Sequence, residues 1–413
     1  MKAILVIADG MADRPLKELS GKTPLEAAVK PTMNRIAEKG MCGIIDPISP
    51  GTPPGSDTAT LAFLGYSPIE VYSGRGALEA VGSGVKVLPG DVAFRCNFAS
   101  VDKDLTVLDR RAGRISDEDA SRLTLSLQRI KLKKSLDASF MFKNTVQHRA
   151  VLVVRGPKLS TAVSDSDPEE NGRKVLEMKS LDGRPESLRT AAIVSELMSE
   201  FQRVLAKHVV NRERVGRKQL PANFVLCRGA GTVPNLTPLS ELYNIRSACI
   251  AAVSLIKGVC KVAGMDLINV KGATGTPQTD YMAKAKAAVE TLKTHDFVLL
   301  HVKATDVASH DGNARLKTDI IEKIDRMLNY ILKNIDLDST HLALTADHTT
   351  SCATRNHEGD PVPIAVCGPY VRRDSVREYS ERTCAEGGLN RIKGADIMRI
   401  LMNFLGRASK FGS

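Results

Sequence analysis

Six acidic and imidazole side chains, Asp9, Asp306, His310, Asp347, His348 and His357, each sit at or shortly after a short apolar run. AILVIA leads into Asp9, VLLHVK into ATDVASHDG with Asp306 and His310, and LALTA into Asp347 and His348, with His357 nine residues further on. Singly, each has a plain explanation. An aspartate after a strand is often a turn former, an i,i+4 Asp–His pair can be a surface contact, and a histidine in a polar loop is usually solvated. As a set they are the residue types that bind divalent metals. With Ser56 they make seven donors, too many for one tetrahedral site and suited to two ions. Two-metal sites clamp both oxygens of an in-line phosphoryl displacement. A serine hydroxyl is a weak nucleophile on its own, and metal coordination is one way to activate it.

Ser56 lies in PPGSDTATLAFLGY, where two prolines and a glycine set up a turn before a run of small residues. Serine there reads first as an N-cap, accepting a bond from the N2 or N3 amide. Gly65 fits the C′ position at the far end. The amides of a helix start also hold phosphate oxygens, so a nucleophile at this turn is the second reading.

The elements that must position these groups follow from hydrophobic patterning. Ala3–Ala8, Met41–Ile48, Ile268–Val270, Asp296–Lys303, His341–Ala346 and Pro363–Gly368 read as buried strands. Helical patterns over Thr23–Gly40, split at Pro31, and Lys317–Asn334 alternate with them. The pattern predicts an α/β fold with a doubly wound, mostly parallel sheet, in which ligands gather outside the carboxyl ends of the strands. From about Asp91 to Arg217 the chain changes character, with alternating polarity and one long amphipathic helix over Glu186–His208. This reads as a smaller α+β domain, 91–217, inserted into a discontinuous domain made of 1–90 and 218–413. Hinges are expected at Gly82–Gly84 and Leu220–Pro221.

At 413 residues two domains are the default. No apolar run is long enough for a membrane span, and Asp9 interrupts the short apolar start, which argues against a signal peptide. Net charge is +11, which suits nucleic acid or a phosphorylated or carboxylated substrate equally. Aromatics are 4% with no Trp, which leaves little for base stacking. The eight cysteines form no CxxC pair and read as reduced, buried thiols of a cytoplasmic protein. GRASKFGS, Gly406–Ser413, reads as a disordered tail without function.

The chain resembles the archaeal-type cofactor-independent phosphoglycerate mutases of the alkaline phosphatase superfamily. The resemblance runs nearly end to end, through ADGMADRP, TPLEAA, PGSDTATLAFLGY, YSGRGALEAVG, DRRAGRI, HRAVLV, SDSDP, CRGAG, KGATGTPQTDY, HVKATDVASHDG, ADHTTSCATRNHEGDPVP and KGADIM. It implies interconversion of 2- and 3-phosphoglycerate without 2,3-bisphosphoglycerate, through a phosphoserine at Ser56. It also implies one metal set of Asp306, His310 and His357, and another of Asp9, Ser56, Asp347 and His348. Two divalent ions are expected, manganese first, with zinc, cobalt or magnesium as alternatives.

Substrate phosphate and carboxylate call for arginine forks. Arg110, Arg111 and Arg114 of DRRAGRI, Arg149, Arg228 and Lys303 are the candidates, with Lys271 behind them. His148 is the candidate proton shuttle. Arg75, in a Gly-rich turn, reads as structural. The same metal core could serve a phosphohydrolase, a phosphopentomutase or another phosphotransferase. A nucleic-acid-binding module is the remaining rival, but it leaves the strand-end acids unexplained. No membrane or nucleic-acid partner is expected, and the oligomeric state stays open.

Overall fold

The computed structural model describes residues 1–410 and 412, so Phe411 and Ser413, in the tail read above as disordered, lie outside the described residues. The chain forms two compact units, Met1–Tyr72 with Asn235–Ser413, and Ser73–Pro234. The second unit is longer at both ends than the expected 91–217. Helix Arg75–Gly82 packs its Ala77 and Ala80 on Ala93, Val151 and Val153 of that unit's sheet. Strand Phe224–Gly231 pairs with Val92–Val101 in the same sheet. Both segments are therefore held by the second unit's own core, and Gly82–Gly84 and Leu220–Pro221 lie inside it rather than at its edges.

The first unit is built on an eight-stranded sheet. Its order is Asn390–Lys393, Gly40–Asp46, Val362–Cys367, Thr340–Thr345, Lys2–Ala8, Phe297–Val302, Ser247–Ile250 and Asp266–Leu267. The pairings are parallel except around Val362–Cys367, which runs antiparallel to both neighbours. The central strands are apolar and buried along almost their whole length, as expected where both faces of a sheet are covered. Helices Pro31–Lys39, Tyr281–Leu292 and Ala314–Asn334 pack as one group, and Ser56–Phe63, Ser254–Val262 and Asp396–Phe404 as another. Pro31 does split the first helical pattern, standing at N1 of the second helix. The expected strand Ile268–Val270 is not formed. The pairing ends at Leu267, where Ile268 only donates its amide to Cys249 before the chain turns.

The second unit has a five-stranded antiparallel sheet of Val92–Val101, Val107–Asp109, Ser139–Asn144, Arg149–Arg155 and Phe224–Gly231. One face, with Phe94, Cys96, Phe98 and Leu152, shares a core with Ile193, Leu197 and Phe201 of the long helix Pro185–Ala206. That helix ends before the expected His208, whose ring caps the next helix by accepting from the Val210 amide.

Candidate active site

The seven ligand candidates converge in the first unit. Asp9 follows the strand Lys2–Ala8, Asp306 and His310 share one face of the helix Ala304–His310 after strand Phe297–Val302, and Asp347 and His348 follow strand Thr340–Thr345. His357 is brought back by a two-residue ribbon in which it pairs with Thr350. Two sets each place their ligand atoms within 4.8 Å of one another: Asp306, His348 and His357, and Asp9, Asp347 and His348. His310 joins the first through its Nε2, 3.3 Å from Asp306 Oδ1, and His357 Nε2 lies at the same distance from that oxygen. His348 thus belongs to both sets, and its ring stacks on His357 at 3.7 Å. Asp9, Asp306, Asp347 and His348 are buried.

Ser56 is not a cap. Gly55 is the N-cap of helix Ser56–Phe63, and Ser56 is its first residue. Thr58 serves the Gly55 amide, so the Ser56 hydroxyl is left for the site. Ser56 Oγ lies 3.1 Å from His348 Nε2. At the other end Gly65 takes φ +90°, with the Gly65 and Tyr66 amides donating to Ala62 and Leu61, a Schellman ending that only glycine fits easily.

Lys303 lies in the same place. Its ammonium is 3.0 Å from Asp9 Oδ1, 2.6 Å from Asp306 Oδ2 and 3.5 Å from Ser56 Oγ. Burial alone would raise the Asp9 and Asp306 carboxyls. The Lys303 charge, together with the neighbouring histidines, outweighs burial and holds both well below the usual carboxylate range. Burial would likewise lower Lys303, and Asp9 and Asp306 outweigh it and raise the ammonium. Asp347 adds its charge to theirs, so three carboxylates act on one ammonium. His310 and His357 present Nε2 to Asp306 because each Nδ1 donates to a backbone carbonyl, of Arg355 at 2.7 Å and of Pro54 at 2.8 Å. A carbonyl can only accept, so it fixes the tautomer, as is usual around metal-binding histidines.

The second unit holds a separate cluster. Along strand Val92–Val101 the face opposite Phe94, Cys96 and Phe98 carries Ala93 under helix Arg75–Gly82, then Arg95 and Asn97. Arg149 pairs with Asn97 in register, and Arg228 with Arg95. Arg95 Nε is 3.4 Å from Glu79 Oε2, the cluster's acid. Burial, followed by the charges of Arg228, Arg149 and Arg75, pushes Arg95 down to about 10 despite Glu79. His148 goes down to about 4, through burial and then Arg149, Arg111 and Arg95. Its Nδ1, Arg95 Nε and Asn97 Oδ1 are buried without a hydrogen-bond partner among the described residues. So many cations around so few acids make a surface for an anion.

Residues 37–211 match the family described as 2,3-bisphosphoglycerate-independent phosphoglycerate mutase. An enzyme of that name from Methanocaldococcus jannaschii is 48% identical over 412 residues, covering 100% of this chain and 99% of its own. The chain belongs to this family. A solved structure of a Pyrococcus horikoshii protein aligns with TM-score 0.87 at 40% identity, over 100% of this chain and 99% of that one. A cofactor-independent phosphoglycerate mutase from Thermoplasma acidophilum aligns with TM-score 0.71 at 38% identity, over 98% and 100%.

For this member of the mutase family, the structure separates the sequence-predicted basic residues. Arg110 spends its fork on Asp167, with bonds of 2.8 and 2.7 Å. Arg228 shares that acid at 3.6 Å and bonds Glu169 at 3.1 Å. Arg114 lines a different hollow, of about 350 Å³, with Arg214 and Arg217. Arg111, Arg149 and His148 remain together. Arg95, Asn97 and Glu79 were missed, although polar residues alternating with Phe94, Cys96 and Phe98 are a readable signal. Also missed was Lys317, fully buried, which donates to Asp13 at 2.9 Å and to the Thr350 carbonyl at 2.8 Å. His301, whose Nε2 lies 3.0 Å from Asp9 Oδ2 but out of hydrogen-bonding line, was not singled out either.

Proposed function

We propose that the chain interconverts 2- and 3-phosphoglycerate without 2,3-bisphosphoglycerate, with Ser56 Oγ carrying the phosphoryl group between the two positions. The observation that supports this best is the Ser56 hydroxyl, free of capping duty and set at the first turn of a helix beside His348 and Lys303. The name and full-length identity of the relatives support the substrate.

The residues fit two divalent ions. Asp9 Oδ2 and Asp347 Oδ2 are buried with no hydrogen-bond partner among the described residues, a costly state unless a cation satisfies them. Asp9, Ser56, Asp347 and His348 would hold one ion, and Asp306, His310 and His357 the other. Manganese suits this mixed carboxylate and imidazole set, with zinc, cobalt or magnesium as alternatives. When bound, the ions supply Lewis acidity for an in-line displacement at phosphorus.

The chain's own groups do the rest. Ser56 Oγ attacks phosphorus and keeps the phosphoryl group while glycerate turns. Lys303 brings positive charge to the phosphoryl oxygens as negative charge spreads over them. In the second unit, Arg111, Arg149 and Arg95 are suited to a carboxylate through charge-assisted hydrogen bonds. His148, held neutral at physiological pH by burial and its arginine neighbours, can accept a hydroxyl proton. The eight free, buried thiols suit a reducing, cytoplasmic setting. Among the described residues no helix is long and apolar enough to cross a membrane.

The test is a coupled assay on chelator-stripped protein, with 3-phosphoglycerate, enolase and no bisphosphoglycerate. Phosphoenolpyruvate appearing on addition of manganese supports the mutase. Inorganic phosphate in its place would make the protein a phosphohydrolase.

A further inference from the structure

We infer that Thr350 is a positioning residue for both metal-binding sets, its one hydroxyl orienting His348 and Asp306 together. This rests on the two-metal reading above. Thr350 Oγ1 lies 2.8 Å from His348 Nδ1 and 3.0 Å from Asp306 Oδ1. A hydroxyl has a single proton to give, and a carboxylate can only accept. The proton therefore goes to Asp306, and the hydroxyl oxygen accepts from His348 Nδ1–H. That leaves the His348 Nε2 lone pair facing Ser56 Oγ at 3.1 Å and the Asp9 and Asp347 carboxylates at 3.4 Å.

His310 and His357 reach the same state through backbone carbonyls, which no side-chain change removes. For His348, the histidine common to both sets, the outcome depends on a side chain. The surroundings hold that side chain in place. Thr350 is fully buried, its amide donates to the Ala12 carbonyl at 3.1 Å, and its carbonyl accepts from Lys317 Nζ at 2.8 Å. Gly10, at φ +62°, leaves the room: a Cβ there would collide with Thr350 Oγ1 and stand 2.9 Å from Asp306 Cβ.

The test compares Thr350→Val, Thr350→Ala and Thr350→Ser with wild type, using Mn²⁺ alone in competition with a chelator and resolving both binding steps. Partners behind metal ligands typically carry about 10–100-fold in affinity, so Val and Ala should each weaken both steps by that factor and Ser by less than about threefold. If Val fails to fold, Ala against Ser decides alone. Ser as weak as Ala, wild-type affinity in Ala, or weakening of one step only would overturn the proposal. A wild-type chain that takes up no manganese would instead overturn the two-metal reading beneath it.

Discussion

Lys303 Nζ stands 3.0 Å from Asp9 Oδ1 and 2.6 Å from Asp306 Oδ2, joining two carboxylates that come from different strand ends. In the metal-free protein this ammonium is the cation that makes their burial tolerable. Removing one partner of a buried charge cluster costs about 3–5 kcal/mol. Lys303→Met should therefore lower the urea stability of metal-free protein by that order. Saturating manganese should recover most of the loss, because the ions then neutralise the same acids. Equal losses with and without metal would contradict this role.

Arg110 and Arg149, both candidates from sequence, should fail in different ways. Arg110 is bonded to buried Asp167, so Arg110→Met leaves that carboxylate only Arg228 at 3.6 Å and the Glu169 amide, and should destabilise the protein by about 1–3 kcal/mol. Arg149 sits among like charges, and burial followed by Arg111, Arg228 and Arg75 lowers its pKa against the pull of Glu79. Arg149→Met should leave stability near wild type and raise KM for 3-phosphoglycerate by about tenfold, or 1.4 kcal/mol of binding. Steady-state kinetics beside urea titrations separate the two outcomes.

His148 gives a pH dependence of definite sign. Its folded pKa, about 4, lies below the ordinary 6.5, so between those values the unfolded chain binds the extra proton. Its contribution is whole above pH 6.5 and falls away as pH drops toward 4. From pH 7.5 to 5 the loss is about 2 kcal/mol by linkage. Urea titrations of wild type and His148→Asn across that range should diverge by this amount, and parallel curves would show that the ring is not held neutral.

The gathering of Asp9, Asp306, Asp347 and His348 was legible because acids and histidines at the carboxyl ends of parallel strands share one edge, whatever the details of packing. Ser56 was ambiguous for a physical reason: a cap and a nucleophile differ by a single position, and Gly55 takes the cap. The domain boundary was misplaced because helix Arg75–Gly82 and strand Phe224–Gly231 have ordinary local patterns. Only their partners, Val151 and the strand Val92–Val101, reveal which core they join. Thr350 and Lys317 gave no signal at all. A threonine after Asp-His and a lysine on an amphipathic helix are ordinary until the fold buries them.

Ser56 as phosphoryl carrier is the central claim. The direct measurement is to mix manganese-loaded protein with 3-phosphoglycerate, quench in acid within a turnover, and map phosphorylation by peptide mass spectrometry. The account predicts one phosphoryl group on the peptide carrying Ser56, absent without metal and absent in Ser56→Ala, which should lose mutase activity even at saturating manganese. A phosphoryl group on another residue, or turnover that survives Ser56→Ala, would contradict it.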